Sequence, residues 1–232
     1  MNVFINSFNY KNYHIENLYL AFPGEFSCDD VYLKKVKIEK INGYLNSFKN
    51  GEINFLFYDG KGKINYSEEK VFKGDFFIDG LNIEKLVKEL SKEIYISGIF
   101  NIDGNFELED GNYKLESKIV SVRKRRIKQI MNFGAVKFFT TLAGGNPVRM
   151  VGSSNFYYGK MGLKIIVKNN RLTVEGLLGE KNGKQYIIKG RFLRSSINLS
   201  IDKSSNTINI SDLKKRIKTA IRRTKTGAKV SY

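Results

Sequence analysis

The sequence predicts a mainly β protein: an extended, strongly curved, groove-like antiparallel sheet with two or three short amphipathic helices. Three observations carry this expectation. Apolar and polar residues alternate along most of the 232 residues, and a period of two sends every second side chain to one face of a strand. Asp-Gly and Asn-Gly pairs punctuate the alternating runs, and these residues tolerate the positive φ of tight hairpin turns. The chain holds 21 Gly, 17 Phe and 13 Tyr but only 2 Pro, a composition suited to strands joined by glycine turns.

Taken in order, "GEINFLFYDG" places Ile53, Phe55 and Phe57 on one strand face and closes with Asp59-Gly60. "GDFFIDG" (74–80) and "GIFNIDG" (98–104) share G-x-F-x-I-D-G, with Phe76, Ile78, Phe100 and Ile102 on the apolar side. Such a short repeat points to a repetitive sheet. Between the copies, "LNIEKLVKELSK" (81–92) spaces Ile83, Leu86, Val87 and Leu90 as a helix does. From Ile94 the apolar residues hold even positions through Ile96, Phe100, Ile102, Phe106 and Leu108. After Asp110-Gly111 they move to odd positions, at Tyr113, Leu115 and Ile119. A turn at that pair would put both sets on one concave surface, because a one-residue slip reverses every side chain.

The next segment, "RRIKQIMNFGAVKFFTTLAGG" (125–145), reads as a basic amphipathic helix with Ile127, Ile130, Met131 and Phe139 turned inward and Gly144-Gly145 as its stop. Strands resume with Leu172, Val174 and Leu178, an Asn182-Gly183 turn, then Tyr186, Ile188 and Phe192, then Ile197, Leu199 and Ile201. Glycines on the apolar side of these strands (Gly98, Gly104, Gly176, Gly190) mark bends or close backbone approach. Ser211 is the expected N-cap of a last helix with a narrow stripe of Leu213, Ile217, Ala220 and Ile221. The expected organisation is sheet over 1–120, basic helix over 121–145, further strands of the same sheet over 146–203, and a basic helical tail over 204–232.

No catalytic residues, metal ligands or cofactor are expected. His14 is the single histidine and Cys28 the single cysteine, which leaves no Ser–His–Asp or Cys–His set and no disulfide framework. "DGKGKINYSEE" (59–69) imitates half of a calcium loop, but Phe57 and Lys61 take two ligand positions and the preceding segment alternates as a strand. The Asp-Gly pairs at 59, 79, 103 and 110 are expected as turns. No phosphate-binding glycine loop is present.

The formal charge is +17, which demands an acidic partner surface, lipid or nucleic acid. It is concentrated in two places. Arg123, Lys124, Arg125, Arg126 and Lys128 occur with no acid among them, and the stretch from Ser211 carries Lys214, Lys215, Arg216, Lys218, Arg222 and Arg223 against Asp212 alone. An oily segment beside the first cluster favours a membrane surface. No helix-turn-helix, RNP or zinc-finger pattern supports nucleic acid. No apolar run of membrane-spanning length occurs, and "MNVFINSFNY" has neither basic nor apolar leader regions. Either the chain is cytoplasmic, with Met1 its true start, or these residues belong to a longer exported protein.

The order of parts resembles the C-terminal region of the AsmA-like family of bacterial envelope proteins. The likeness lies in the G-x-F-x-I-D-G strands, then "IKQIMNFGAVKFFTTLAGGNP", then Phe156, Met161, Leu163, Ile165, Asn169, Leu172 and Val174, closing with Gly190, Phe192, Ile197, Leu199 and Ile201. It covers roughly residues 95–202. The resemblance implies a periplasmic, inner-membrane-associated protein whose curved sheet shelters phospholipid acyl chains or supports outer-membrane assembly with other envelope proteins. Residues Phe55, Phe57, Phe76, Ile78, Phe100, Ile102, Phe106, Leu108, Tyr113 and Leu115 would line its groove. Two other expectations stand beside this one. A basic nucleic-acid-binding protein would use the charged tail, and a structural module would add strands to a partner sheet.

Overall fold

The computed structural model of the chain describes residues 2–21, 24–47, 49–142, 155–190, 196–213 and 215. Seven long strands come first: β1 (Asn2–Tyr10), β2 (Tyr13–Ala21), β3 (Gly24–Leu33), β4 (Val36–Ser47), β5 (Asn50–Phe57), β6 (Gly60–Glu68) and β7 (Phe72–Asn82). Helix α1 (Ile83–Leu90) and β8 (Ile96–Ser97) follow, then β9 (Ile99–Glu109) and β10 (Asn112–Val122). Next are β11 (Ile130–Asn132), α2 (Phe133–Leu142), β12 (Asn155–Tyr157), β13 (Lys160–Lys168) and β14 (Arg171–Gly176). The chain continues through β15 (Glu180–Lys181), β16 (Lys184–Lys189), β17 (Leu199–Asp202), a 3-10 turn (Lys203–Ser205) and β18 (Thr207–Asn209).

One antiparallel sheet holds most of these strands. It runs β1 to β7 in sequence order, then β9, β10, β13, β14 and β18, with β15, β16 and β17 branching from β13, and it does not close. Two-residue turns make several of the hairpins. Asp110 and Gly111 both have positive φ, as do Asn182 and Gly183, as the sequence predicts. The β5–β6 turn falls one residue earlier than expected, at Tyr58-Asp59, with Phe57 opposite Gly60. Asp79-Gly80 and Asp103-Gly104 are not turns but lie inside β7 and β9. Gly80 occupies a bulge, its N–H donating to Asn101 Oδ1 at 3.1 Å. Gly104 is a regular ladder position opposite Phe76.

The two copies of the repeat become neighbouring antiparallel strands, with Ile78 opposite Ile102. Both breaks in the meander fall at the same end of the sheet. α1 and β8 are inserted between β7 and β9; β11, α2 and β12 are inserted between β10 and β13. β8, β11 and β12 form a separate three-stranded sheet. There the buried Tyr158 hydroxyl donates to Ser97 O at 2.7 Å. Gly98 makes room for it, because a Cβ there would come within 2.5 Å of that hydroxyl.

The core lies entirely at this end. Among the described residues, every buried apolar side chain except Cys28 falls between Leu81 and Ile208. Phe100, Met131, Val136, Met161, Val174, Ile187, Ile188 and Ile201 are its centre.

The predicted helix over 125–145 is corrected. Residues 123–128 form an exposed connection ending at the buried Gln129, Ile130, Met131 and Asn132 form a strand, and helix begins only at Phe133. Asn132 fixes that start. Its Oδ1 accepts from Ala135 N at 2.9 Å and from Tyr95 N at 3.0 Å, while its Nδ2 donates to Glu93 O at 2.9 Å. Such an N-cap side chain satisfies one of the free N–H groups of the helix's first turn. Met131 and Phe139 are buried as expected, but Ile127 is exposed. Residues 143–145 lie outside the described residues.

The last boundary is corrected too. β18 falls within the expected tail, yet it pairs with β14 and buries Ile208 against Leu172. Helix starts at Ile210, so Ser211 is not the cap, and Ile210 and Leu213 pack against the core.

Candidate functional site

The antiparallel ladders carry one apolar face across the whole sheet. Direct partners run Val3, Leu20, Phe26, Gly43, Ile53, Ile64, Phe76, Gly104, Ser117, Ile165, Val174, through eleven strands with Ser117 the single polar member. Cross-strand partners share a face, so eleven strands at about 4.8 Å spacing make an apolar surface about 48 Å wide. A parallel row runs Phe55, Gly62, Ile78, Ile102, Ile119, Leu163. Another joins Tyr66, Gly74, Phe106, Leu115 and Val167. Phe72, Leu108 and Tyr113 continue it toward the end remote from the core. The even set of β9 and the odd set of β10 therefore meet on one face, in the register that Asp110-Gly111 imposes.

Glycines on this face have a specific use. Phe26 lies over its cross-strand partner Gly43, Phe55 over Gly62, Phe106 over Gly74 and Phe76 over Gly104; a Cβ at any of the four would overlap the ring. The missing side chains let four phenyl rings cover neighbouring backbone.

The opposite face carries ion pairs, interspersed with exposed aromatic residues such as Phe4, Tyr44 and Phe77. Lys63 pairs with Glu52, and Glu116 takes both Lys114 at 2.9 Å and Lys164 at 2.8 Å. The two lysines hold the Glu116 carboxyl at about 2, below its ordinary 4.5. A carboxylate with a lowered folded-state pKa stabilises fully above its unfolded value and loses that contribution as pH falls toward the folded one. Glu116→Gln should therefore cost no more than about 1 kcal/mol at neutral pH, as for other surface pairs. In urea titrations the difference from wild type should shrink between pH 4.5 and 2 and vanish below. A difference that persists at the lowest pH would assign the loss to packing.

The predicted groove residues separate into three groups. Phe100 is 1% exposed and belongs to the core. Phe57, Ile78 and Ile102 pack at its margin. Phe55, Phe76, Phe106 and Leu115 are half-buried on the open face, where Leu108 (47%) and Tyr113 (42%) are exposed.

Where the face meets the helices, a pocket of about 400 Å³ opens. Ile83, Val87 and Leu90 of α1 and Phe138, Phe139 and Leu142 of α2 form one side. Phe100, Ile119, Met161, Leu163 and Ile165 form the sheet side, with Ser91 its one polar residue. Leu90 is 61% exposed, at the mouth. The sequence places Ile83, Val87 and Leu90 on one helix face. The cavity they form with α2 comes only from the two insertions sharing a sheet end.

Arg123, Lys124, Arg125, Arg126 and Lys128 are all exposed in the β10–β11 connection. Lys215 is exposed as well; Lys214, Arg216, Lys218, Arg222 and Arg223 lie outside the described residues. His14 Nδ1 lies 2.6 Å from Asn9 Oδ1 and its Nε2 2.9 Å from Glu16 Oε1. Cys28 is buried, which pushes its thiol pKa up and away from a reactive thiolate. Among the described residues, no group of three or more His, Cys, Asp and Glu is placed to hold a metal ion, and no helix is long and apolar enough to cross a membrane. Comparison with protein-family models, curated proteins and solved structures finds no match.

Proposed function

We propose that this chain is a non-enzymatic lipid-handling module of a bacterial cell envelope, with phospholipid acyl chains resting on the open apolar face and entering the pocket beneath α1 and α2. One observation carries the reading. The apolar face is continuous over eleven strands, yet β1 to β7 contribute Leu81 and Cys28 alone to the buried apolar side chains. The half-exposed apolar area from β1 to β9 marks a binding surface. Acyl chains suit it because the pocket lining offers almost no polar group to orient anything else. The resemblance to AsmA-like proteins supports the same reading and a periplasmic, inner-membrane-associated location.

The test is phospholipid in the purified protein, detected by mass spectrometry after extraction, together with titration of a fluorescent phospholipid. Leu90→Glu and Leu108→Glu each place a charge on an exposed position of the apolar path. Each should weaken binding by tenfold or more, about 1.4 kcal/mol, without altering the far-ultraviolet circular dichroism. Protein that carries no phospholipid and binds none would overturn the proposal. RNA or DNA co-purifying in its place would favour the nucleic-acid reading, and a stoichiometric protein partner the assembly reading.

A further inference from the structure

We infer that the exposed connection at residues 123–128 docks the protein on an anionic phospholipid bilayer, setting the pocket end of the sheet against the headgroups. The inference rests on the lipid-handling reading and adds the surface from which the lipid comes. Three observations carry it.

The first is charge. Five cations stand within six residues, all exposed, and no described acid forms an ion pair with them. Lysines of the strands are treated differently: Lys37, Lys63, Lys114 and Lys164 each have a carboxylate partner.

The second is an apolar side chain among those charges. Ile127 is 39% exposed, in a tight turn where its N–H donates to Lys124 O at 3.2 Å. An oily side chain ringed by cations fits the boundary between headgroups and acyl chains. Binding to single-stranded nucleic acid uses aromatic rings for base stacking, and residues 123–128 contain none.

The third is position. Val122, the last residue of β10, pairs with Ile99, one residue from the pocket-lining Phe100. Ser97 Oγ donates to Lys128 O at 2.7 Å and accepts from Ile130 N at 3.3 Å, and Ile96 beside it lines the pocket. The cationic turn and the apolar pocket therefore share one sheet end, as the two parts of a phospholipid require.

Co-sedimentation with vesicles tests this on the full chain, comparing phosphatidylcholine alone with phosphatidylcholine containing phosphatidylglycerol. One variant replaces Arg123, Lys124, Arg125, Arg126 and Lys128 by Gln. A control with the same charge change replaces Lys34, Lys35, Lys49, Lys70 and Lys73, which are also exposed. Wild type should bind only the anionic vesicles, and more weakly as salt rises. The turn variant should bind them on the order of a hundredfold more weakly, and the control within about threefold of wild type. Ile127→Asp alone should weaken binding and Ile127→Trp strengthen it, since Trp favours the membrane interface. Equal losses in the turn variant and the control would overturn the inference, as would wild type that ignores anionic vesicles. RNA that displaces wild type from vesicles, with Ile127→Asp silent, would reassign the turn to nucleic acid. Phospholipid carried by the purified wild type reports on the lipid-handling reading separately: its absence with binding to anionic vesicles intact would strike that reading and leave the docking surface standing.

Discussion

Phe100→Ala should lower folding stability by about 3–5 kcal/mol, the cost of deleting a fully buried ring and leaving a cavity. Phe106→Ala, further along β9 on the same face, should cost half that or less. The difference is one of cover. Phe100 is 1% exposed beneath the two helices, whereas Phe106 is half-buried, resting on Gly74, with no helix packed over it among the described residues. Denaturant midpoints and melting temperatures of the two variants measure this directly. At roughly 2–4 °C per kcal/mol for a chain of this size, Phe100→Ala should melt about 6–20 °C below wild type. Equal losses would mean that something covers the open face in solution, and the acyl-chain reading would then need that cover to move aside.

Asn132→Ala should be nearly as damaging, at about 2–4 kcal/mol, although it removes only a small polar side chain. Truncating a helix cap costs about 0.5–2 kcal/mol. Here the same amide also serves Tyr95 N and Glu93 O, and leaving such groups unpaired adds about 1–3 kcal/mol. Asn132→Asp keeps both acceptor bonds and loses the donor bond to Glu93 O, so it should fall between wild type and Ala. Denaturation followed by circular dichroism ranks the three. A loss below about 1 kcal/mol for Ala would show that the connection between β8 and α2 is held by packing alone.

The misread segment over 125–145 shows why local periodicity was insufficient. Ile127, Ile130 and Met131 have helical spacing, but that spacing says nothing about which partner each side chain finds. β11 forms because β8 and β12 offer hydrogen-bonding edges on both sides. A local signal was nonetheless present, in the Asn132 that opens "NFGAVKFF" and caps the helix on Ala135. The Asp-Gly pairs at 79 and 103 misled for a similar reason. Dipeptide chemistry permits a turn, but a ladder that continues past both pairs overrides it. Gly104 is needed there because a Cβ would overlap both the Glu116 carbonyl oxygen and the Phe76 ring, contacts made by residues far apart in sequence.

By itself the sequence determined the strands, the mainly antiparallel sheet, helix α1, the register across Asp110-Gly111 and the identity of the apolar face. Those follow from period-two alternation and turn residues, which act between near neighbours. Only the tertiary structure decided where that face is covered. Two insertions, one carrying α1 and β8 and the other β11, α2 and β12, emerge at one end of the sheet and pack together, turning Phe100 into core, opening the pocket and placing the cationic turn beside it. That outcome depends on which strands become spatial neighbours. Alternation gives a side chain's face but not what lies above it, so the sequence alone could not separate the buried end of the sheet from the open one.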